Sequence, residues 1–117
     1  MINKCPIRTV YYVRRCYDVT VPIVIEQQTL NAVCDSGAEV SLCSVDVAQN
    51  WALKECPLRL VDAQKCKIKV CGECVVQITV GAVTVSHCFV FANIGSAVIL
   101  GSDFLRKYEC VLDFGSL

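Results

Sequence analysis

The chain contains no apolar run approaching the roughly 18 residues that span a membrane, although 55% of its residues are hydrophobic. It also lacks an excess of either charge, since eleven Lys and Arg balance eleven Asp and Glu. General attraction to nucleic acid or to an anionic membrane is therefore not expected. A small basic cluster, Lys4, Arg8, Arg14 and Arg15, reads as a solvated or linker segment. The opening residues MINKCPIRTVYY lack the apolar core of a signal peptide. Sustained helical periodicity hardly appears, and no linker, repeat or low-complexity tract divides the sequence. At 117 residues there is room for one core but not for two lobes, so an activity that needs two lobes must recruit a second chain.

Ten cysteines in so short a chain suggest a disulfide scaffold. The missing leader points instead to a reducing, intracellular compartment such as the cytoplasm, with most thiols serving as small buried hydrophobes. Cys71-Gly72-Glu73-Cys74 has the spacing of half a zinc site or of a redox pair. Cys66, His87 and Cys88 supply no second pair at a familiar spacing. The flanks KIKV and VVQITV look like strand, where a redox pair would open a helix. No metal and no cofactor are expected.

What the sequence does have is alternation with period two. Val19, Val21, Ile23 and Ile25 fall on one face of VTVPIVI, and the polar break Glu26-Gln27-Gln28 leads into TLNAVC as the second strand of a hairpin. Pro22 cannot donate to a ladder, so this strand lies at an edge or carries a bulge. KIKV, VVQITV, AVTV and HCFVFA read as further strands, with Gly72 and Gly81 as turns. Two segments suggest helix: SVDVAQNWAL, capped by Ser44 and packed through Trp51, and the short DFLRKY after Gly101. The terminal CVLDF places Cys110, Leu112 and Phe114 on one face, as an interface strand would. The expected architecture is all-β, closed or nearly so, with one short C-terminal helix.

Within this frame VCDSGAE stands out. Asp, Ser and Gly are ordinary turn residues, yet Ala38, Val40 and Leu42 continue the alternation after them. Asp35 thus interrupts a nearly buried strand-turn-strand, where an ionised group is costly unless it is hydrogen-bonded or shared. Ser36 offers a hydroxyl, and Gly37 leaves the backbone amides approachable. Farther along, Val98-Ile99-Leu100-Gly101 is an apolar run ending in glycine just before DFLRKY.

Asp-Ser-Gly-Ala after an apolar strand, a hairpin-rich middle and Ile-Leu-Gly-x-Asp-Phe-Leu before a short helix together resemble the retroviral-type, or retropepsin-like, aspartic proteases. The likeness runs from about Val19 to Phe114. The Gly-x-Asp-Phe-Leu form is most similar to the proteases of long-terminal-repeat retrotransposons. The resemblance implies a closed β-barrel half-lobe that works as a homodimer on an extended polypeptide, such as a polyprotein. In this family two carboxylates share one proton: one activates water, and the other donates to the scissile carbonyl oxygen. Closely spaced like charges cannot both ionise, so such a pair titrates in two separated steps. A chain with a single Asp-Ser-Gly needs two copies, with Asp35 facing its mate across a two-fold axis.

By motif position, Asp35 is the implied catalytic residue and Ser36 and Gly37 the implied active-site loop. Ala38, Glu39 and Ile99 line the implied cleft. The flap that closes over substrate falls near Val61 to Ile68, giving Val61, Asp62, Ala63 and Gln64 as further substrate contacts. Family flaps carry glycine near the tip, and this stretch has none before Gly72. Residues 1–18 form an N-terminal extension or interface segment, and residues 19–117 form the protomer. Three rival readings carry less. Asp113-Phe114-Gly115 copies a kinase triplet in a chain without the other kinase loops. His87 with Ser41, Ser44 or a cysteine could pair a base with a nucleophile, but a lone histidine opening an apolar strand is more often a surface or satisfied residue. A non-catalytic dimerisation or peptide-binding module of the same fold is the alternative from another class; it has no reason to keep a buried carboxylate pair.

Overall fold

A computed structural model describes residues 8–12, 19–62 and 64–108. Among them, β2 (Val19–Ile25), β3 (Gln28–Cys34), β4 (Leu42–Ser44), β7 (Val70–Val80), β8 (Val83–Ala92) and β9 (Val98–Leu100) close into a barrel in the order β2-β3-β9-β4-β8-β7. Above it lies a second sheet in the order β1-β5-β6, built from β1 (Arg8–Tyr12), β5 (Leu58–Asp62) and β6 (Lys67–Ile68). Two short helices, α1 (Val45–Ala48) and α2 (Ser102–Lys107), complete the fold. No described helix is long and apolar enough to cross a membrane.

The period-two pattern places the core. Val21, Ile23 and Ile25 of β2 turn inward onto Val76, Ile78, Phe89 and Phe91, with Phe104 of α2 sealing the end of the same cluster. Val19 departs from the expected face and is 54% exposed, because β2 overruns the barrel there and pairs only with Cys34. Pro22 is exposed and pairs with Asn31 alone; β2 meets β7 only at Val24 and Ile25, so no ladder bond is lost at the proline. Between β2 and β3, Glu26 and Gln27 both adopt positive φ, 48° and 67°. This matches the twist of a tight hairpin but is unfavourable for side chains bearing Cβ. Gln27→Gly is therefore expected to raise stability by about 0.5–1 kcal/mol in urea unfolding; an unchanged midpoint would contradict this.

Gly72 is not the turn that the sequence suggests. It sits inside the long strand β7 at a register shift against β8, with φ 155°, and a Cβ there would come within 2.7 Å of Leu53 Cβ and the Lys54 carbonyl oxygen. The glycine is required by a β-bulge against a crossing segment. Gly81, at φ 61°, does form the β7–β8 turn. In SVDVAQNWAL the cap is as expected, with Ser44 Oγ accepting from the Asp46 amide at 3.3 Å. The helix stops after one turn, however. Gln49 takes a positive φ of 50°, and the chain then runs out to bridge Lys54 with Glu73. Trp51 packs edge-on to Phe91, with ring centroids 5.8 Å apart. The expected interface strand CVLDF lies outside the described residues, as do residues 1–7 and 13–18 of the expected N-terminal segment.

Candidate active site

Two strands of the barrel create the site. β3 and β9 run parallel, with Ala32 opposite Val98, Val33 opposite Ile99 and Cys34 opposite Leu100. Their C-terminal ends therefore finish side by side, and the next residue on each is Asp35 and Gly101. The Asp35 amide donates to the Leu100 carbonyl at 3.0 Å, the Ala38 amide donates to the Asp35 carbonyl at 3.1 Å, and the Ser102 amide donates to the Ala38 carbonyl at 2.7 Å. The two motif loops are thus stitched into one unit.

Asp35 is 2% exposed, and its Oδ1 accepts the Gly37 amide at 2.9 Å. This is the remedy that a buried carboxylate needs: a backbone donor brought close because the residue supplying it has no side chain. Ser36 beside it is exposed. Gly101 is equally constrained, since a Cβ there would lie 2.6 Å from the carbonyl oxygens of Ala38 and Val40.

Beneath the loops is a clasp built on Asp103, the acid of the Gly-x-Asp-Phe-Leu motif, whose partners Ser41 and His87 no motif announces. Ser41 Oγ accepts the Gly101 amide at 3.0 Å and donates to Asp103 Oδ1 at 2.7 Å. Asp103 Oδ1 also accepts the Phe104 amide at 2.7 Å, and Oδ2 meets His87 Nε2 at 3.0 Å. His87 is buried and stands edge-on to Phe89, Phe104 and Tyr108. The arrangement excludes a serine nucleophile at Ser41. A base would have to stand between hydroxyl and carboxylate, whereas here the carboxylate stands between and accepts the Ser41 hydroxyl's hydrogen bond directly. His87 is satisfied, one of the two outcomes expected of a lone histidine.

Burial pushes the Asp103 carboxyl up, but the hydrogen bonds from His87 and Ser41 outweigh it and leave the group below its ordinary value of 3.8. A carboxyl whose pKa is lowered by folding contributes stability above its unfolded pKa, and that contribution is lost as pH falls toward the folded one. Asp103→Asn is therefore expected to lower the urea midpoint at neutral pH and to narrow its gap from wild type below about pH 4. Parallel pH profiles for the two proteins would contradict the assignment.

Leu60 on β5 and Ala38, Val33, Leu42 and Ile99 beside the loops belong to one buried apolar cluster between the upper sheet and the barrel. The β5–β6 hairpin, with Leu60 opposite Ile68 and Val61 opposite Lys67, thus overhangs the ground beside Asp35. Its tip works without glycine. Asp62 Oδ1 accepts the amides of Gln64 and Cys66, both at 2.9 Å, and Lys65 takes the left-handed conformation at φ 65°. An aspartate accepting from its own following backbone makes the turn.

No family model matches the chain, and no curated protein matches it. Solved structures do match. The retroviral protease-like domain of Ddi1 from Leishmania major is similar at a TM-score of 0.62 and 21% identity, covering 80% of this chain and 76% of that one. EIAV protease complexed with the inhibitor HBY-793 is similar at a TM-score of 0.68 and 17% identity, covering 80% of this chain and 90% of that one. The fold is retropepsin-like.

In this retropepsin-like half-lobe the implied cleft residues separate into two groups. Ala38 and Ile99 are buried in the cluster beneath the hairpin, and Val61 is buried on β5. Glu39 and Gln64 are exposed, Asp62 is half-buried and committed to the turn, and Ala63 lies outside the described residues. Leu60, Val33 and Leu42 join the same buried cluster unannounced, although alternation along LRLVD could have marked Leu60.

The cysteine expectation needs correcting. Of the seven described cysteines, all free, only Cys43 is buried; Cys66, Cys71 and Cys88 are exposed, and Cys34, Cys56 and Cys74 are half-buried. Most of these thiols sit on outward or marginal strand positions because the inward ones are taken by Val, Ile and Phe. Burial pushes the Cys34 thiol up to about 11 and the Cys43 thiol up to about 12, so neither is a nucleophile near neutral pH. Cys74 Sγ donates to the Val75 carbonyl at 3.5 Å along the strand. Among the described residues no three of His, Cys, Asp and Glu are grouped to hold a metal ion.

Proposed function

We propose that the protein is an aspartic endopeptidase that acts as a homodimer, with Asp35 and its symmetry mate sharing one proton and activating a water. The observation that supports this most is a buried Asp35, fixed by the Gly37 amide, at the joint end of β3 and β9. Each chain brings one Asp-Ser-Gly carboxylate, while the chemistry needs one group to take a proton from water and another to give one to the carbonyl oxygen. Exposed Ser36 sits where a second copy would meet the loop, and its hydroxyl would hold the two loops together. Substrate would add as an extended strand along the hairpin, with alternate side chains entering the apolar ground of Ala38 and Ile99. The β5–β6 hairpin would act as the flap, with Val61, Asp62, Ala63 and Gln64 near the substrate. Residues 19–117 would form the protomer and residues 1–18 an extension. The natural substrate would be a polyprotein, of the kind handled by the retrotransposon proteases that the Gly-x-Asp-Phe-Leu form resembles.

The test is cleavage of a peptide library at mildly acidic pH with and without a statine-type inhibitor, alongside sedimentation. Turnover blocked by the inhibitor in a species of twice the chain mass is expected. A stable dimer with no turnover at any pH would overturn the proposal and leave a dimerisation or peptide-binding module.

A further inference from the structure

The upper sheet contains a strand that the hairpin does not need. β1 runs parallel to β5 in register, from Arg8 opposite Leu58 to Tyr12 opposite Asp62. Among the described residues it pairs with no other strand, so it forms the outer edge of the sheet and is tied to the rest of the backbone through β5 alone. At its centre Val10 is 1% exposed and sits in the same cluster as Val33, Ala38, Leu42, Leu60 and Ile99. An extended segment hydrogen-bonded along the hairpin, with a side chain dropped into the apolar ground beside the Asp35 loop, meets the requirements of a bound peptide: main-chain pairing to a strand edge, and a pocket for an alternate side chain.

We infer that β1 occupies in cis the strand edge and side-chain pocket that a substrate peptide takes, so that residues 8–12 act as a displaceable internal competitor. Val10 then reports the preference of the pocket: a small β-branched aliphatic side chain, enclosed by Ala38, Leu42, Leu60 and Ile99. Asp35 itself is 2% exposed and must become accessible before a scissile bond and a water can reach it. This inference rests on the peptidase reading of the cleft.

The free energy holding β1 in place lowers affinity for any external peptide by the fraction of molecules in which the edge is open. Expelling β1 should therefore tighten binding without touching the catalytic loop. The probe is fluorescein-labelled acetyl-Arg-Thr-Val-Tyr-Tyr-amide, titrated by anisotropy against the full chain carrying Asp35→Asn, so that the probe stays intact. Adding Val10→Asp is expected to tighten binding at least about tenfold, and a probe with Asp in place of Val should not bind. If Val10→Asp abolishes the cooperative unfolding transition, Val10→Thr, which keeps the shape and replaces one methyl with a hydroxyl, decides; a gain of about threefold or more is expected. Unchanged affinity in a folded variant, or equal binding of the Asp-containing probe, would overturn the inference. With Asp35 intact, KM should fall in the Val10 variant while kcat holds. Cleavage without any binding gain would remove the internal competitor and leave the peptidase standing. A binding gain without cleavage would remove the peptidase and leave the strand-binding groove.

Discussion

Asp35→Asn is expected to lower kcat/KM for peptide cleavage by about a thousandfold or more while leaving the unfolding midpoint close to that of wild type. The magnitude is that of removing a positioned proton-transfer group. The asparagine keeps the shape of the side chain, and its carbonyl oxygen can still accept the Gly37 amide that now bonds Oδ1 at 2.9 Å. An amide in place of a carboxylate, however, neither takes a proton from water nor shares one with a mate. Peptide turnover within about tenfold of wild type would show that the chemistry lies elsewhere. Unfolding would show that the charge of Asp35 holds the loop together.

Gly101→Ala is expected to cost about 3 kcal/mol or more of stability, because the new Cβ would stand 2.6 Å from two backbone carbonyl oxygens, those of Ala38 and Val40. Neither can swing away as the tip of a side chain would. Both belong to the strap between Asp35 and Ser41, which is bonded to α2 through the Ser102 amide. Relief of the clash therefore displaces the loop that carries Asp35, and residual folded protein should lose activity as well. Gly95→Ala is the control, since a Cβ added there would meet nothing within 4 Å; surface changes of that kind stay within about 0.5 kcal/mol. Equal urea midpoints for the two variants would contradict the close approach of the two motif loops.

The features legible in the sequence are those written in local pattern. Alternation along VTVPIVI and TLNAVC announces a hairpin, and Asp35-Ser36-Gly37 after an apolar strand announces a carboxylate in need of backbone donors. DFLRKY after Gly101 announces the last described helix. The stretch Val61 to Ile68, where the resemblance implies a flap, falls within the β5–β6 hairpin, whose tip is built without the expected glycine. The expected glycine is replaced by an Asp62 carboxylate that accepts two amides and a lysine in the left-handed conformation, and neither leaves a distinctive local signal. Gly72 misleads for the opposite reason: a bulge against Leu53 and Lys54 and a turn ask for the same residue, and only the crossing segment tells them apart.

Pairings between distant segments leave no trace at all. Parallel β1–β5 pairing joins residues about fifty positions apart with no turn between them to announce it. The clasp joins Ser41, His87 and Asp103, each of which has an ordinary explanation by itself. Val19 breaks the alternation rule because burial depends on where the neighbouring strands end, and not on the strand's own period.

The requirement that two copies of Asp35 meet is tested most directly by mixing. Wild-type chains, kept at a concentration where dimers prevail, are combined with a roughly ninefold excess of Asp35→Asn chains and allowed to exchange. If each site takes one carboxylate from each of two chains, most wild-type chains end in mixed pairs with a single acid. Activity per wild-type chain should then fall to about a tenth. Activity unchanged by the excess would mean that one chain carries a complete site, and the shared-proton mechanism across a two-fold axis would be wrong.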